Sequence, residues 1–265
     1  MADTFEGKVC IVTGGTSGIG LAVSKALLER GAAVYMLGIP QESVDEAREK
    51  MVGYDGARFA LVDVTHYEEV QKLVDDVVAE NGRLDYMFNN AGIGGTAPFE
   101  MVTLDHWKKI IDINLWGVIH GVHAAFPVMA KQGSGHIVNT SSIAGVIPYP
   151  YQALYCATKY AVTGMTESLR FEHAHLGIAF STVCPSNVAT PIFGDTTPPE
   201  DAISPEEAAA HILAGVERRE GIIVFPDLVR ENYLAYRCDQ EKMDADLMTM
   251  ADVRREAFET KGSYY

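Results

Sequence analysis

The chain is short of positive charge: 21 Lys and Arg stand against 36 Asp and Glu, for a net charge of -15. A surface this acidic repels nucleic-acid phosphates and anionic lipid, so neither is expected as a partner. Cysteine is scarce too. Cys10, Cys156, Cys184 and Cys238 lie far apart with no CxxC pair, which argues against a disulfide framework or a zinc site and fits a reducing compartment. The eight histidines include no HxxxH or HExxH spacing, so no metal is expected. No apolar run approaches the ~20 residues of a membrane helix. The start, Met-Ala-Asp-Thr-Phe-Glu-Gly-Lys, has no apolar signal core. The expectation is therefore a soluble, cytoplasmic protein. What is present in quantity is apolar: 48% of the 265 residues are hydrophobic and 22% charged, enough to bury a large core.

Short apolar runs alternate with longer helical patterns. Strands are expected at Lys8 to Val12, Ala32 to Leu37, Phe59 to Val62, Leu84 to Phe88, His136 to Asn139, Ile178 to Cys184 and Ile222 to Phe225. Helices are expected at Ile19 to Arg30, from an N-cap at Ser43 to Met51, Tyr67 to Glu80, Leu104 to Lys131 with a kink at Pro127, Tyr155 to Leu176, and Pro205 to Arg218. Runs such as Val-Cys-Ile-Val are apolar throughout, which means burial on both faces, as in a parallel sheet covered by helices. The pattern predicts an α/β fold: one doubly wound, Rossmann-type domain over 1–265, with a parallel seven-stranded sheet and helices on both faces.

Directly after the first strand comes Thr13-Gly14-Gly15-Thr16-Ser17-Gly18-Ile19-Gly20, and a helix follows. Glycines allow the tight turn and let the backbone approach a pyrophosphate, while free amides at the helix start face its charge. Gly14, Thr16, Ser17, Gly18 and Ile19 are the candidate phosphate binders, and Gly38 closes the second strand beside them. The spacing TGxxxGxG, followed in order by Asn89-Asn90-Ala91-Gly92, Asn114, Ser142 and Tyr155-Cys156-Ala157-Thr158-Lys159, resembles the short-chain dehydrogenase/reductase family. The resemblance runs to about Phe225.

Protonating the alkoxide left by hydride transfer, or deprotonating an alcohol, needs an acid–base group. A free tyrosine titrates near ~10, and a neighbouring cation lowers that value. Tyr155 and Lys159 are four apart on a predicted helix and so share one face. The resemblance, with its Asn-x-Ser-Ser pattern, implies that Ser142 rather than the adjacent Ser141 hydrogen-bonds the substrate oxygen as charge develops. The resemblance implies that Asn114 holds a water linking the lysine to solvent, although an Asn there also suits backbone capping. It implies that Lys159 also bonds the nicotinamide ribose, that Asn90, Ala91 and Gly92 stabilise the fourth strand beside the adenine-side ribose, and that Asp63 with Val64 contacts the adenine. It further implies that Pro185, Val188 and Thr190 frame the nicotinamide, although Ser186 stands where the family usually has glycine.

The acid that NAD binders place after the second strand is missing from Leu37-Gly38-Ile39-Pro40, and no Lys or Arg occupies 38 to 41. NAD is favoured over NADP; a basic group from elsewhere, Arg48 for example, would reverse the choice. Gly94, Gly95, Ile143, Tyr149, Tyr151, Gln152, Ile192 and Phe193 suggest a moderately hydrophobic alcohol or ketone, such as a steroid. Residues 192–204 are expected to form a lid. Residues 227–265 are expected to form a helical extension. A homodimer or homotetramer is implied by the resemblance. The rival readings are a silent nucleotide sensor on the same fold and a dehydratase or epimerase.

Overall fold

The computed structural model describes residues 3–194 and 196–261; Asp195 of the expected lid and residues 262–265 of the expected extension lie outside them. Seven strands form one sheet: β1 (Val9–Thr13), β2 (Ala33–Gly38), β3 (Ala57–Leu61), β4 (Tyr86–Asn89), β5 (Gly135–Thr140), β6 (Ile178–Pro185) and β7 (Ile222–Phe225). They pair in parallel in the order β3-β2-β1-β4-β5-β6-β7. The chain leaves β1 in one direction for β2 and β3 and in the other for β4 onward. The crevice at that reversal, beyond the carboxyl ends of β1 and β4, is where such sheets take their ligands.

All of β1 is buried, and its residues alternate between two cores. Cys10 and Val12 join Val23 and Leu27 of α1 (Gly18–Glu29) and Ile212 and Val216 of α7 (Pro205–Glu217). Val9 and Ile11 lie in the opposite core with Val70 and Val74 of α3 (Tyr67–Asn81), Val122 and Ala125 of α5 (Gly117–Gln132), and Val162 of α6 (Ala153–Glu172). The remaining helices are α2 (Gln41–Lys50), α4 (Leu104–Ile111), α8 (Asp227–Cys238) and α9 (Gln240–Lys261).

Two expectations need correction. Ser43 does not cap α2, which starts at Gln41 behind Pro40. The Ser43 hydroxyl instead lies 2.8 Å from that of Thr16. The single helix expected over Leu104 to Lys131 is divided by a π-helical turn, Asp112–Trp116, between α4 and α5. That wider turn carries Asn114, fully buried, whose amide is committed to the Ile93 main chain. The helix passes through Pro127 to Gln132. Both Pro127 and His123, whose carbonyl loses its helical donor, face solvent. Leu104–Gln132 is long and apolar enough to cross a membrane by length and composition. In this fold Gly121, Val122, Ala125 and Met129 of that stretch are buried.

Candidate active site

The turn after β1 is packed so tightly that side chains are excluded. Gly14 and Gly18 hold φ of +61° and +49°, in the left-handed region that glycine enters freely. A Cβ at Gly20 would lie 2.1 Å from the Gly14 carbonyl oxygen, and one at Gly18 would lie 3.1 Å from Thr190. The Thr13 hydroxyl accepts hydrogen bonds from the amides of Asn90 and Ala91 at 2.9 and 3.0 Å. The Asn90 side chain donates to the Thr13 carbonyl at 3.2 Å. Asn90 and Ala91 therefore brace the turn itself. Behind it, a Cβ at Gly38 would overlap the Thr16 hydroxyl at 2.1 Å, so glycine there is what lets Thr16 lie against β2.

The start of α1 is left open. Ser17 makes no capping hydrogen bond, and the first turn holds no acid. Among the described residues no side chain claims its amides, which carry the positive end of the helix dipole and suit a phosphate group. The glycine cradle and the uncapped helix thus fit a dinucleotide pyrophosphate.

At the end of β5 the two adjacent serines differ. Ser141 Oγ is buried, donates to the Lys159 carbonyl at 2.9 Å and lies 2.8 Å from the Thr163 hydroxyl. A Cβ at Gly145 would strike it at 2.1 Å. Ser142 Oγ accepts one bond, from the Ala144 amide at 3.1 Å, which leaves its proton for another partner. Along α6, the Lys159 ammonium lies 5.5 Å from the Tyr155 ring centroid and donates to the Thr140 carbonyl at 2.9 Å. Burial pulls Lys159 down to about 8, because the interior disfavours its charge, and the buried Cys184 nearby acts in the opposite sense. No carboxylate pairs with it among the described residues.

Asn114 Oδ1 accepts from Ile93 N at 2.8 Å, and Nδ2 donates to Ile93 O at 2.9 Å. A Cβ at Gly92 would lie 3.3 Å from Asn114 Oδ1 and 3.5 Å from Lys159 Nζ, so the bare Gly92 backbone borders both groups. Asp63 Oδ1 accepts from the amide and hydroxyl of Thr65 at 2.9 and 2.8 Å, an Asx turn leading into α3. Val64 is buried, and a Cβ at Gly117 would lie 2.7 Å from it. Pro185 ends β6; Val188 is buried in the α1 and α7 core and bridges to Ile203. Thr190 faces Gly18 across the turn.

Sequence reasoning passed over Thr13, Asn89 and Asn139. Asn89 Nδ2 donates to Asn139 Oδ1 at 2.8 Å, and Asn139 Nδ2 donates to the Thr166 hydroxyl at 2.9 Å, tying β4 and β5 to α6 in the core. The available signal was an Asn near the carboxyl end of each of two buried strands, since a buried amide demands partners.

A family model described as short chain dehydrogenase matches residues 8–201. An uncharacterised oxidoreductase of Staphylococcus saprophyticus is 38% identical over 190 residues, 71% of this chain and 77% of the relative. A cyclohexanol dehydrogenase of Acinetobacter is 33% identical over 197 residues, 74% of this chain and 78% of the relative. The crystal structure of a short-chain dehydrogenase/reductase from Burkholderia phymatum in complex with NAD shares the fold, with a TM-score of 0.78 at 23% identity over 98% of this chain and 96% of that one. The span matched by the family model takes in the glycine turn, Ser142, Tyr155 and Lys159, and the chain belongs to the short-chain dehydrogenase family.

Proposed function

We propose that the protein interconverts a secondary alcohol and its ketone with a nicotinamide dinucleotide. The observation that carries this is the meeting of a buried, carboxylate-free Lys159 with the Tyr155 ring, on the helix that follows the singly engaged Ser142. The cyclohexanol dehydrogenase relative and the neighbour in complex with NAD support the same reading.

Gly14, Thr16, Ser17, Gly18 and Ile19 would hold the pyrophosphate on the turn and the α1 amides. Gly38, Asp63, Val64, Asn90, Ala91 and Gly92 would border the adenosine side. Pro185, Val188, Thr190 and Lys159 would frame the nicotinamide side. When bound, the dinucleotide supplies or accepts the hydride. The chain handles the proton. The Tyr155 hydroxyl gives a proton to the carbonyl oxygen in reduction and takes one from the alcohol in oxidation. The Ser142 hydroxyl donates a hydrogen bond to that same oxygen as its charge develops. The Lys159 ammonium favours the tyrosinate by charge. The π-turn beside Gly92 holds Asn114 and the Ile93 backbone, where a relay water would link Lys159 to solvent.

NAD is our preferred cofactor. Arg48 lies 5.4 Å over the Phe59 ring and pairs with Asp45 at 3.0 Å. Near the end of β2 stand the Thr16 and Ser43 hydroxyls instead of a cation that could hold a 2′-phosphate. Ile143, Tyr149 and Ile192 suit a hydrophobic substrate. Residues 192–194 and 196–204 would act as the lid, anchored at its base by the Val188 to Ile203 bridge and by Asn187 on Asp201. The exposed Trp116 and Tyr160, on the π-turn before α5 and on α6, suit pairing of subunits through that face. A cytoplasmic location would keep the free thiols reduced.

A panel of secondary alcohols and ketones, read at the nicotinamide absorbance with each dinucleotide, tests this. Tyr155→Phe should lower turnover at least ~10³-fold while dinucleotide binding, followed by fluorescence, survives. Unchanged turnover in that variant would move the acid–base role elsewhere.

A further inference from the structure

The loop between Ser142 and Tyr155 is held from both sides. On one side lie residues 94–97: the Ala97 amide donates to the Tyr151 carbonyl at 2.9 Å, and Gln152 Nε2 donates to the Thr96 hydroxyl at 3.0 Å. On the other side lie the C-terminal helices, beyond the span matched by the family model. Tyr233 of α8 and Leu247 of α9 join Ile143, Val146, Ile147 and Tyr149 in one apolar cluster. Arg254 of α9 reaches across 104 residues of sequence to donate from Nη1 to the Pro150 carbonyl at 2.8 Å. Its guanidinium lies 5.6 Å from the Tyr149 ring centroid.

The residue after Pro150 is under strain. Tyr151 holds φ of +65°, a left-handed conformation that a bulky side chain adopts only against steric strain. Such a conformer persists only when its surroundings impose it, and here the carbonyls on both sides of it, of Pro150 and Tyr151, are each claimed by another segment. The strained residue lies just before α6. The Gln152 carbonyl accepts from the Cys156 amide at 2.7 Å, so the turn that presents Tyr155 begins where the clamp ends. An open surface depression lined by Pro150, Leu247 and Met248 lies between the loop and α9.

We propose that Arg254 is a positioning residue for the active site: through Pro150 it locks the 149–152 loop, and so sets the substrate-side wall next to Tyr155. This rests on the reading of Tyr155 as the acid–base group. The bidentate, planar guanidinium can hold a carbonyl and lie along a ring at once, which an ammonium does poorly.

The test is Arg254→Ala and Arg254→Lys in the full chain. Hydrogen exchange should show faster exchange over residues 149–152 and at Ala97 in Arg254→Ala, with α1 and β1 unchanged. KM for the best alcohol should rise about tenfold, with kcat within about twofold and dinucleotide affinity unaltered, as expected when ground-state and transition-state contacts are lost together. Arg254→Lys, which keeps one donor and the charge, should fall between wild type and Arg254→Ala and serves if the alanine variant fails to fold. Unchanged exchange in the loop overturns the clamp. Faster exchange without a change in KM overturns its role in the reaction, as does a uniform loss of substrate and dinucleotide binding. If the wild type turns over no alcohol or ketone, the reading of Tyr155 has failed, and the exchange measurement still judges the clamp.

Discussion

The starts of α1 and α7 make an instructive pair. At α7, Ser204 accepts a hydrogen bond from the Glu207 amide at 3.1 Å, Pro205 opens the helix, and Glu206 and Glu207 face the dipole. At α1, Ser17 occupies the same cap position and caps nothing, and no acid follows. One helix end satisfies itself; the other leaves its donors for something outside the chain. Ser141 and Ser142 repeat the contrast one residue apart, and Lys159 is its extreme form, a buried ammonium with no carboxylate partner among the described residues. In these three cases the group proposed to act, the α1 start, Ser142 or Lys159, is the one the fold leaves less engaged, while Asn114 is held fully by the Ile93 main chain.

The sharpest way to break that comparison is at Lys159. Its folded value of about 8 lies below the usual 10.5. The unfolded chain therefore binds more protons between those two values, and stability should climb as pH rises through that window and be lowest below about 8. Lys159→Met should lose turnover by ~10³-fold or more. The same variant should gain up to about 3 kcal/mol at pH 7 in the dinucleotide-free protein, less what the Thr140 hydrogen bond contributed. Thermal melts of both proteins from pH 6 to 10 check this, and a less stable Lys159→Met would contradict it.

The serine pair comes next in size. Ser142→Ala should lower turnover ~10²- to 10³-fold with little change in melting temperature. Ser141→Ala should keep most of the turnover and cost ~1–2 kcal/mol, because it deprives the Lys159 carbonyl and the Thr163 hydroxyl of a buried partner. Swapped outcomes would reassign the roles. The caps give the smallest effect: Ser204→Ala should cost about 1 kcal/mol in urea unfolding, and Ser17→Ala only a few tenths. Equal losses would mean that Ser17 caps α1 after all.

The architecture was legible because central strands such as β1 are apolar runs buried on both faces and helices such as α3 carry a periodic stripe, whereas the edge strand β3 is only partly buried. Tyr155 and Lys159 were legible because four residues on a helix is one face. The preference for Ser142 over Ser141 came from the family pattern; the packing shows why, since Gly145 lets the loop close over Ser141. Ser43 misled because its cap role was judged without the rigid Pro40 that precedes it. The π-turn was invisible: the apolar pattern from 104 to 131 continues across it, and only the distant Ile93 backbone accounts for where Asn114 sits.

By itself the sequence determined what repeats locally: the alternation of strands and helices, the glycine turn whose dihedrals few other residues can adopt, and the Tyr155 and Lys159 pairing. Tertiary structure alone decided which polar groups are spent and which stay available, and that Arg254 meets Pro150 across 104 residues. The reason is physical: periodicity and backbone preference act between near neighbours in the chain, whereas burial and hydrogen-bond partnership depend on which segments the folded sheet brings together.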